Sequence, residues 1–386
     1  MFSNRLPPHA HVNALTQALA RHRAAGKRLI DLTESNPTRA GIDYPPDILK
    51  HLADVEALRY EPHPLGLPRA REAVAADQLR RGARVNPSHV VLTASTSEAY
   101  TWLFKLLCNP GDSVLVPRPS YPLFEHLTGL EGVCATPFDL EYHRRWTIDH
   151  ATIEAAPLST RALLVVSPNN PTGSYLSATD LERVTLLCEA RRWALIVDEV
   201  FADYPLEVEQ PLTDIAARSR ALSFTLGGLS KSAGLPQLKL GWIIVGGPEA
   251  ERDSALANLE LIADSFLSVS TPVQIAAADL IRRSASVREA IHQRVRGNLA
   301  FLRNAARSFP ACEVLNVEGG WSACIRVPLI RREEELVLDL LEQEGILVHP
   351  GYFFDFPREA VVVISLLTTP EDFRDASMRL LQFAAS

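Results

Sequence analysis

Val165-Val166-Ser167-Pro168-Asn169-Asn170-Pro171-Thr172-Gly173 passes from an apolar run into a rigid polar loop. Two further runs end in the same manner. Ile196-Val197 stops at Asp198-Glu199, and Phe224-Thr225 leads through Gly227-Gly228-Leu229 to Ser230-Lys231. Short apolar runs that end in polar loops are expected of buried parallel strands, whose carboxyl ends face the ligand in an open α/β sheet. Working outward, strands are predicted at Val90–Leu92, Ser113–Val116, Ala162–Val166, Ala194–Val197, Leu222–Thr225 and Gly241–Val245. Amphipathic helices are predicted between them at Pro68–Arg81, Ser97–Leu107, Tyr121–Gly132 and Ser177–Arg192. In the last of these, Leu181, Val184, Thr185, Leu187 and Cys188 approximate a 3.6-residue period.

The alternation predicts one large α/β domain over residues 46–285, with a mainly parallel sheet sandwiched by helices. Beyond a helical region from Pro272 to about Arg307 the texture changes. Strands are predicted at Cys312–Val317, Ser322–Val327 and Val361–Leu366, and helices at Glu333–Glu344 and Pro370–Phe383. Residues 286–386 therefore read as a smaller α+β domain, joined by the N-terminal segment 1–45.

Composition narrows the function classes. Of the 386 residues, 47% are hydrophobic and 22% charged, which suits a globular protein able to bury a large core. The net charge of −7 gives no overall basic field for nucleic acid or an anionic membrane. The longest apolar stretch, Val361 to Leu367, is far short of a membrane span, and no secretory signal is visible in the opening residues. Five scattered cysteines without a C-x-x-C pair suit reduced thiols in a cytoplasmic protein. No histidine–cysteine cluster suggests a metal.

Taken singly, Asn-Pro-Thr-Gly is a turn, Asp198 a helix cap and Lys231 a solvated side chain. Their order is more specific. Together with Lys239-Leu240-Gly241-Trp242, Tyr60…Gly66-Leu67-Pro68, the Thr93–Ala99 turn, Pro117-Arg118-Pro119-Ser120-Tyr121-Pro122 and Pro350-Gly351, it resembles the aspartate aminotransferase family of pyridoxal-phosphate enzymes. The resemblance runs from about Asp31 to the C-terminal helix. It implies fold type I, a covalently held pyridoxal 5'-phosphate, and a homodimer with sites at the subunit interface.

Carried over position by position, the resemblance makes Lys231 the Schiff-base lysine, whose released amine moves the substrate α-proton. Asp198 would keep the pyridine nitrogen protonated, Asn170 would bond the phenolic oxygen, and Tyr121 would stack on the ring. Ser95, Thr96 and Ser97 match the phosphate loop at a helix start, where exposed amides and the dipole favour an anion. Ser230 and Lys239 complete the cofactor set, and Tyr60 matches the tyrosine that reaches the neighbouring subunit's phosphate. Asn36 and Arg39 lie in a segment that lines the substrate side. The reaction implied is amino transfer from an amino donor to an oxo acid. The rivals are other reactions on the same cofactor, namely β-elimination (a C–S lyase), racemisation or cyclisation, and a non-catalytic binding protein on the same fold.

Four positions depart from the family pattern. Lys239 replaces an arginine, which removes a bidentate fork. Phe201 replaces a tyrosine whose hydroxyl would face the cofactor's phenolic oxygen, unless Tyr204 substitutes. Gly228 replaces a serine. Val363, in Val361-Val362-Val363-Ile364-Ser365, stands where an arginine clamps the substrate carboxylate. His349 precedes Pro350-Gly351 at a strand end, where it could face the pocket, although a structural role is the simpler expectation.

Overall fold

Eight strands form one sheet: β1 (Val90–Thr93), β2 (Ser113–Arg118), β3 (Cys134–Tyr142), β4 (Trp146–Ile148), β5 (Thr160–Val166), β6 (Ala194–Asp198), β7 (Ser223–Gly228) and β8 (Gly241–Gly246). Their spatial order is β1-β8-β7-β6-β5-β2-β3-β4. The central pairs β7–β6, β6–β5, β5–β2 and β2–β3 are parallel. Strand β8 runs antiparallel to both neighbours, and β4 folds back on β3. This is a computed structural model, and it describes the chain apart from Met1, Phe2, Asn4, residues 7–12, residues 208–210, Leu212 and residues 358–359. Parts of the predicted segment 1–45 and of the opening residues read for a signal therefore lie outside the described residues.

The predicted sandwich follows from period-2 burial. On one face of the sheet Leu164, Ile196, Phe224 and Ile243 pack against Leu103 of helix Thr96–Leu107 and Leu259 of helix Glu249–Asp264. On the other, Leu163, Val165, Leu195 and Val197 pack against Leu181, Val184 and Cys188 of helix Ala178–Arg191. Alternate residues of each strand thus meet different helix layers, so both faces must be apolar.

A second sheet is antiparallel throughout: β9 (Glu313–Val314), β10 (Ser322–Arg326), β11 (His349–Pro350) and β12 (Val361–Ser365), in the order β9-β10-β12-β11. Val362 and Ile364 face a core shared with Ile291, Val295 and Leu299 of helix Ala285–Ala306 and Phe373 and Leu380 of helix Pro370–Ala385. Near the N-terminus, Ile30–Asp31 pairs in parallel with Ile346–Leu347.

Three features differ from the sequence-based expectation. The helical region from Pro272 to Arg307 is two helices, Thr271–Arg283 and Ala285–Ala306, interrupted at Ser284, whose hydroxyl donates back to the Leu280 carbonyl at 2.7 Å. The strand expected over Cys312–Val317 contracts to Glu313–Val314. Strands β3 and β4 lie outside the predicted set; β4 is the edge strand, and β3 beside it, which β4 covers only over Leu140–Tyr142, carries Pro137, Asp139 and Glu141 instead of an apolar run.

Candidate active site

The carboxyl ends of β5, β6 and β7 open into a cavity of about 270 Å³. Of the residues singled out from sequence, Thr96, Ser97, Tyr121, Asn170, Asp198, Ser230 and Lys231 line it together. They arrive from different elements. Asp198 is the last residue of β6, whose five residues are all buried, so the strand delivers a carboxylate to the interior. Lys231 sits in the single helical turn Leu229–Ser232 that follows β7. Asn170 lies in the loop after β5, and its Oδ1 accepts the Ser322 hydroxyl at 3.1 Å. Its neighbour Asn169 has a different task. The Asn169 amide donates to the Pro119 carbonyl and the Thr172 hydroxyl, and its Oδ1 accepts from Ser120, which ties the loop to the turn bearing Tyr121.

Asp198 is buried and held on both oxygens: the Tyr100 hydroxyl donates to Oδ2 at 2.6 Å and the Val200 amide to Oδ1 at 3.0 Å. Burial is the dominant influence and pushes its pKa up to about 6, against the opposing hydrogen bond from Tyr100. The adjacent Glu199 is consumed elsewhere, paired with Arg81 at 2.7 Å. Lys231 shows the reverse shift. Burial brings its amine down to about 8, with Asp198 pulling the other way. Its Nζ lies 5.4 Å from the Phe201 ring centroid and 5.0 Å from that of Trp321, and those two rings meet edge to face at 5.3 Å. The Tyr204 hydroxyl donates to the Lys231 carbonyl at 2.6 Å, so it fixes the backbone of the turn and is not free to replace the hydroxyl absent at Phe201.

Ser95 caps helix Thr96–Leu107. Its hydroxyl accepts from the Glu98 amide at 3.1 Å, while Glu98 reaches back to the Ala94 amide. That leaves the Thr96 and Ser97 ends of the helix toward the cavity, whereas Ser95 itself does not line it. Lys239 is exposed and likewise outside the lining, although Gly241, two residues on, abuts Ser95. The departure at Gly228 has a steric cause: a Cβ there would stand 3.0 Å from the Leu240 carbonyl oxygen across the β7–β8 pair.

The substrate-side expectations fare differently. The segment is in place, but Thr33 and Ser35 line the cavity while Asn36 and Arg39 do not. The Asn36 side chain accepts from the Thr38 amide and hydroxyl, and Arg39 turns to Glu34 at 3.1 Å with 68% of its side chain exposed. Tyr60 is 72% exposed, well away from the cavity lining, among exposed Val55 and Leu58. Tyr100, Trp321, Ser322 and His349 also line the cavity. Tyr100 follows Thr96 by four residues and so shares its helix face, a periodicity that would have found it. Trp321 immediately precedes β10 and carries no such local signal, whereas His349 opens β11 at the strand end where facing the pocket is one of its two expected roles.

A buried carboxylate, a buried lysine of lowered pKa and a helix start at one cavity match the ring nitrogen, aldehyde and phosphate of pyridoxal phosphate; the donor set fits that cofactor. Residues 27–380 match the family described as aminotransferase class I and II. The chain belongs to that family. Its members use pyridoxal 5'-phosphate, and the chain is a transferase of that class. It is 28% identical over 400 residues to an alanine aminotransferase of Mycobacterium bovis, covering 100% of this chain and 91% of that protein. It is 27% identical over 379 residues to a glutamate-pyruvate aminotransferase of Haemophilus influenzae, covering 93% and 91%. A solved aminotransferase from Escherichia coli superposes with a TM-score of 0.87 at 23% identity, over 100% of this chain and 98% of that one, and so shares the fold. No described helix is long and apolar enough to cross a membrane.

Proposed function

We propose that this aminotransferase moves the amino group of an amino donor to an oxo acid, with Lys231 as the residue that binds the cofactor covalently and shuttles the proton. The supporting observation is the convergence of Lys231 and Asp198 in one cavity with opposite burial-driven shifts, the lysine to about 8 and the carboxyl to about 6. Titratable groups whose values burial moves this far toward neutrality, gathered in one cavity, mark candidate acid–base residues. When bound, pyridoxal phosphate supplies a carbonyl that takes up amino nitrogen and a ring that accepts electrons.

The chain's own residues do the remaining work. Asp198 holds a proton at the ring nitrogen, and Tyr100 and Val200 orient its carboxylate. Asn170 reaches the ring oxygen, and Tyr121 covers a ring face. The Thr96 and Ser97 amides, with Ser230 and Lys239, hold the phosphate at the helix start, where Ser95 supports them as the cap. Lys231 Nζ, as a free amine, would take up the substrate's α-proton, shielded from water by Phe201 and Trp321.

We propose a cytoplasmic homodimer in which Tyr60 reaches the other subunit's phosphate. The exposed Val55, Leu58 and Tyr60 support an interface there, and five free cysteines support a reducing compartment. The break at Ser284 supports a division into residues 46–285 and 286–386, and the pairing of Ile30–Asp31 with Ile346–Leu347 supports grouping segment 1–45 with the latter. Val363 in place of the carboxylate-clamping arginine favours, as the second reading, another reaction on the same cofactor: β-elimination, racemisation or cyclisation.

Purified protein given pyridoxal phosphate should develop a visible absorbance band that a mixed amino-acid pool bleaches and a pool of oxo acids restores. Lys231→Ala should abolish the band's covalent character under borohydride. Absence of any band overturns the proposal, and release of pyruvate and ammonia in place of amino transfer selects the second reading.

A further inference from the structure

We propose that His349 holds the substrate's carboxylate, and that the site takes an amino acid with one carboxylate and an uncharged, apolar side chain. The inference rests on the transamination reading above. It begins from what the cavity lacks. An α-amino-acid donor and its oxo-acid product each carry a carboxylate, yet among the described residues the lining contains no arginine and two basic side chains, Lys231 and His349. Lys231 is committed to the cofactor. Three of the hydroxyls at the second-sheet end are committed as well: Ser322 donates to Asn170 Oδ1, Ser365 to the Glu34 carbonyl and Thr33 to Asp31 Oδ1.

His349 is placed for the task. Strand β11 sets it directly opposite Val363 on β12, so both side chains stand on one face of the sheet, and both line the cavity. The position that lacks an arginine therefore has an imidazole as its cross-strand neighbour. The ring packs against Phe353 and Phe354, with centroids 5.8 and 5.7 Å away, and its Nδ1 is buried without a hydrogen-bond partner. With that nitrogen enclosed, a ligand carboxylate would meet the ring at its other nitrogen, in a dry setting where a charge-assisted bond is strong.

The charges around it fix the sign. Burial lowers the imidazole below its ordinary value, and Asp31, on the short strand beside Leu347, partly opposes this. Lys231 and Asp198 share the cavity, and the packed partners Phe353 and Phe354 are uncharged. At neutral pH and above the empty ring is neutral, so binding a carboxylate draws a proton onto it. A side chain is accommodated by Leu123, Phe124, Leu127 and Val200, and the lining offers no third basic group for a second carboxylate.

The test compares 4-methylpentanoate with 4-methylpentanamide, titrated calorimetrically into the cofactor-loaded protein in buffers of different ionisation enthalpy at pH 8. Wild type should bind the carboxylate with uptake of about one proton, and its affinity should fall about tenfold per pH unit above the imidazole's pKa. His349→Gln should lose roughly 10- to 100-fold in carboxylate affinity, with the amide unaffected and the cofactor band retained. The same variant should raise the KM for the amino donor while kcat changes little, and His349→Arg should recover part of the loss. Equal loss for both probes, unchanged carboxylate affinity in His349→Gln, absence of proton uptake, or wild-type protein that does not prefer the carboxylate would each overturn the inference. A failure of the transamination reading looks different: the wild-type protein then forms no band that amino acids bleach, whatever happens at His349.

Discussion

The Tyr100 hydroxyl donates to Asp198 Oδ2 at 2.6 Å, so helix Thr96–Leu107 presents Thr96 and Ser97 to the cavity from its first turn and holds the Asp198 carboxylate from its second. One rigid element thus sets the spacing between the helix start and the buried carboxylate. Because the bond is made to the ionised carboxylate, it favours that form. Tyr100→Phe should therefore raise the Asp198 pKa above its present value near 6, by about one unit if the lost bond is worth roughly 1–3 kcal/mol. The acid limb of pyridoxal-phosphate affinity against pH should move upward accordingly, and an unmoved limb would show that Tyr100 only packs.

Asp198 also makes a prediction about stability without cofactor. Its carboxyl titrates near 6 when folded and near 3.8 when unfolded, so the folded state binds more protons between those values. Stability must then fall as pH rises through that window, and the full cost is present above about 6. Asp198→Asn removes the cost. The cofactor-free variant should be more stable than wild type by on the order of 2–3 kcal/mol at pH 7.5, with the advantage gone by about pH 4. Denaturant melts at the two pH values decide it. The same change should weaken cofactor binding, which is the usual exchange of stability for function at a polar site.

The sheet and the Lys231–Asp198–Asn170 set were legible because a buried parallel strand leaves little choice: Ala194–Val197 is apolar throughout, and the first polar residue after it must emerge at the strand's end. The local signal fails where an edge strand has one wet face, as in Cys134–Tyr142, or where a single serine interrupts an otherwise continuous helical pattern, as at Ser284. It fails also for Trp321, and for His349 it offers the pocket only as the second possibility beside a structural role. Their place in the cavity depends on how the second sheet meets the first, a relationship between residues more than a hundred apart that periodicity does not encode. Arg39 illustrates the converse. An arginine in the right segment is drawn to Glu34 five residues earlier, and the cavity is lined by Thr33 and Ser35 instead.

Lys231 should be chemically distinct before any cofactor is added. Burial disfavours its ammonium form and brings the amine to about 8, against about 10.4 for an ordinary lysine. Brief reductive methylation of cofactor-free protein, read by peptide mass spectrometry, should label Lys231 with a rate that rises up to about pH 8 and then levels. Ordinary exposed lysine amines keep accelerating toward pH 10. A Lys231 profile that tracks theirs would show that the aromatic enclosure by Phe201 and Trp321 does not desolvate the amine.

Two glycines should respond to the same substitution with opposite signs. Gly227 lies opposite Trp242 in the β7–β8 pair, and a Cβ built on it would stand 2.4 Å from the Trp242 ring nitrogen. The indole is buried and cannot swing away without disturbing Leu92 and the strand that leads to Lys231. Gly227→Ala should therefore destabilise the protein by about 1–3 kcal/mol through overpacking, with a weaker hold on the cofactor. Gly297 lies exposed within helix Ala285–Ala306, where an added Cβ meets nothing within 4 Å. Gly297→Ala should stabilise by about 0.5–1 kcal/mol, since alanine loses less backbone entropy in a helix than glycine. Chemical denaturation of the two variants beside wild type checks both. Shifts of the same sign would mean that the tryptophan relaxes freely, and that the fixed geometry inferred between β8 and the Lys231 turn is wrong.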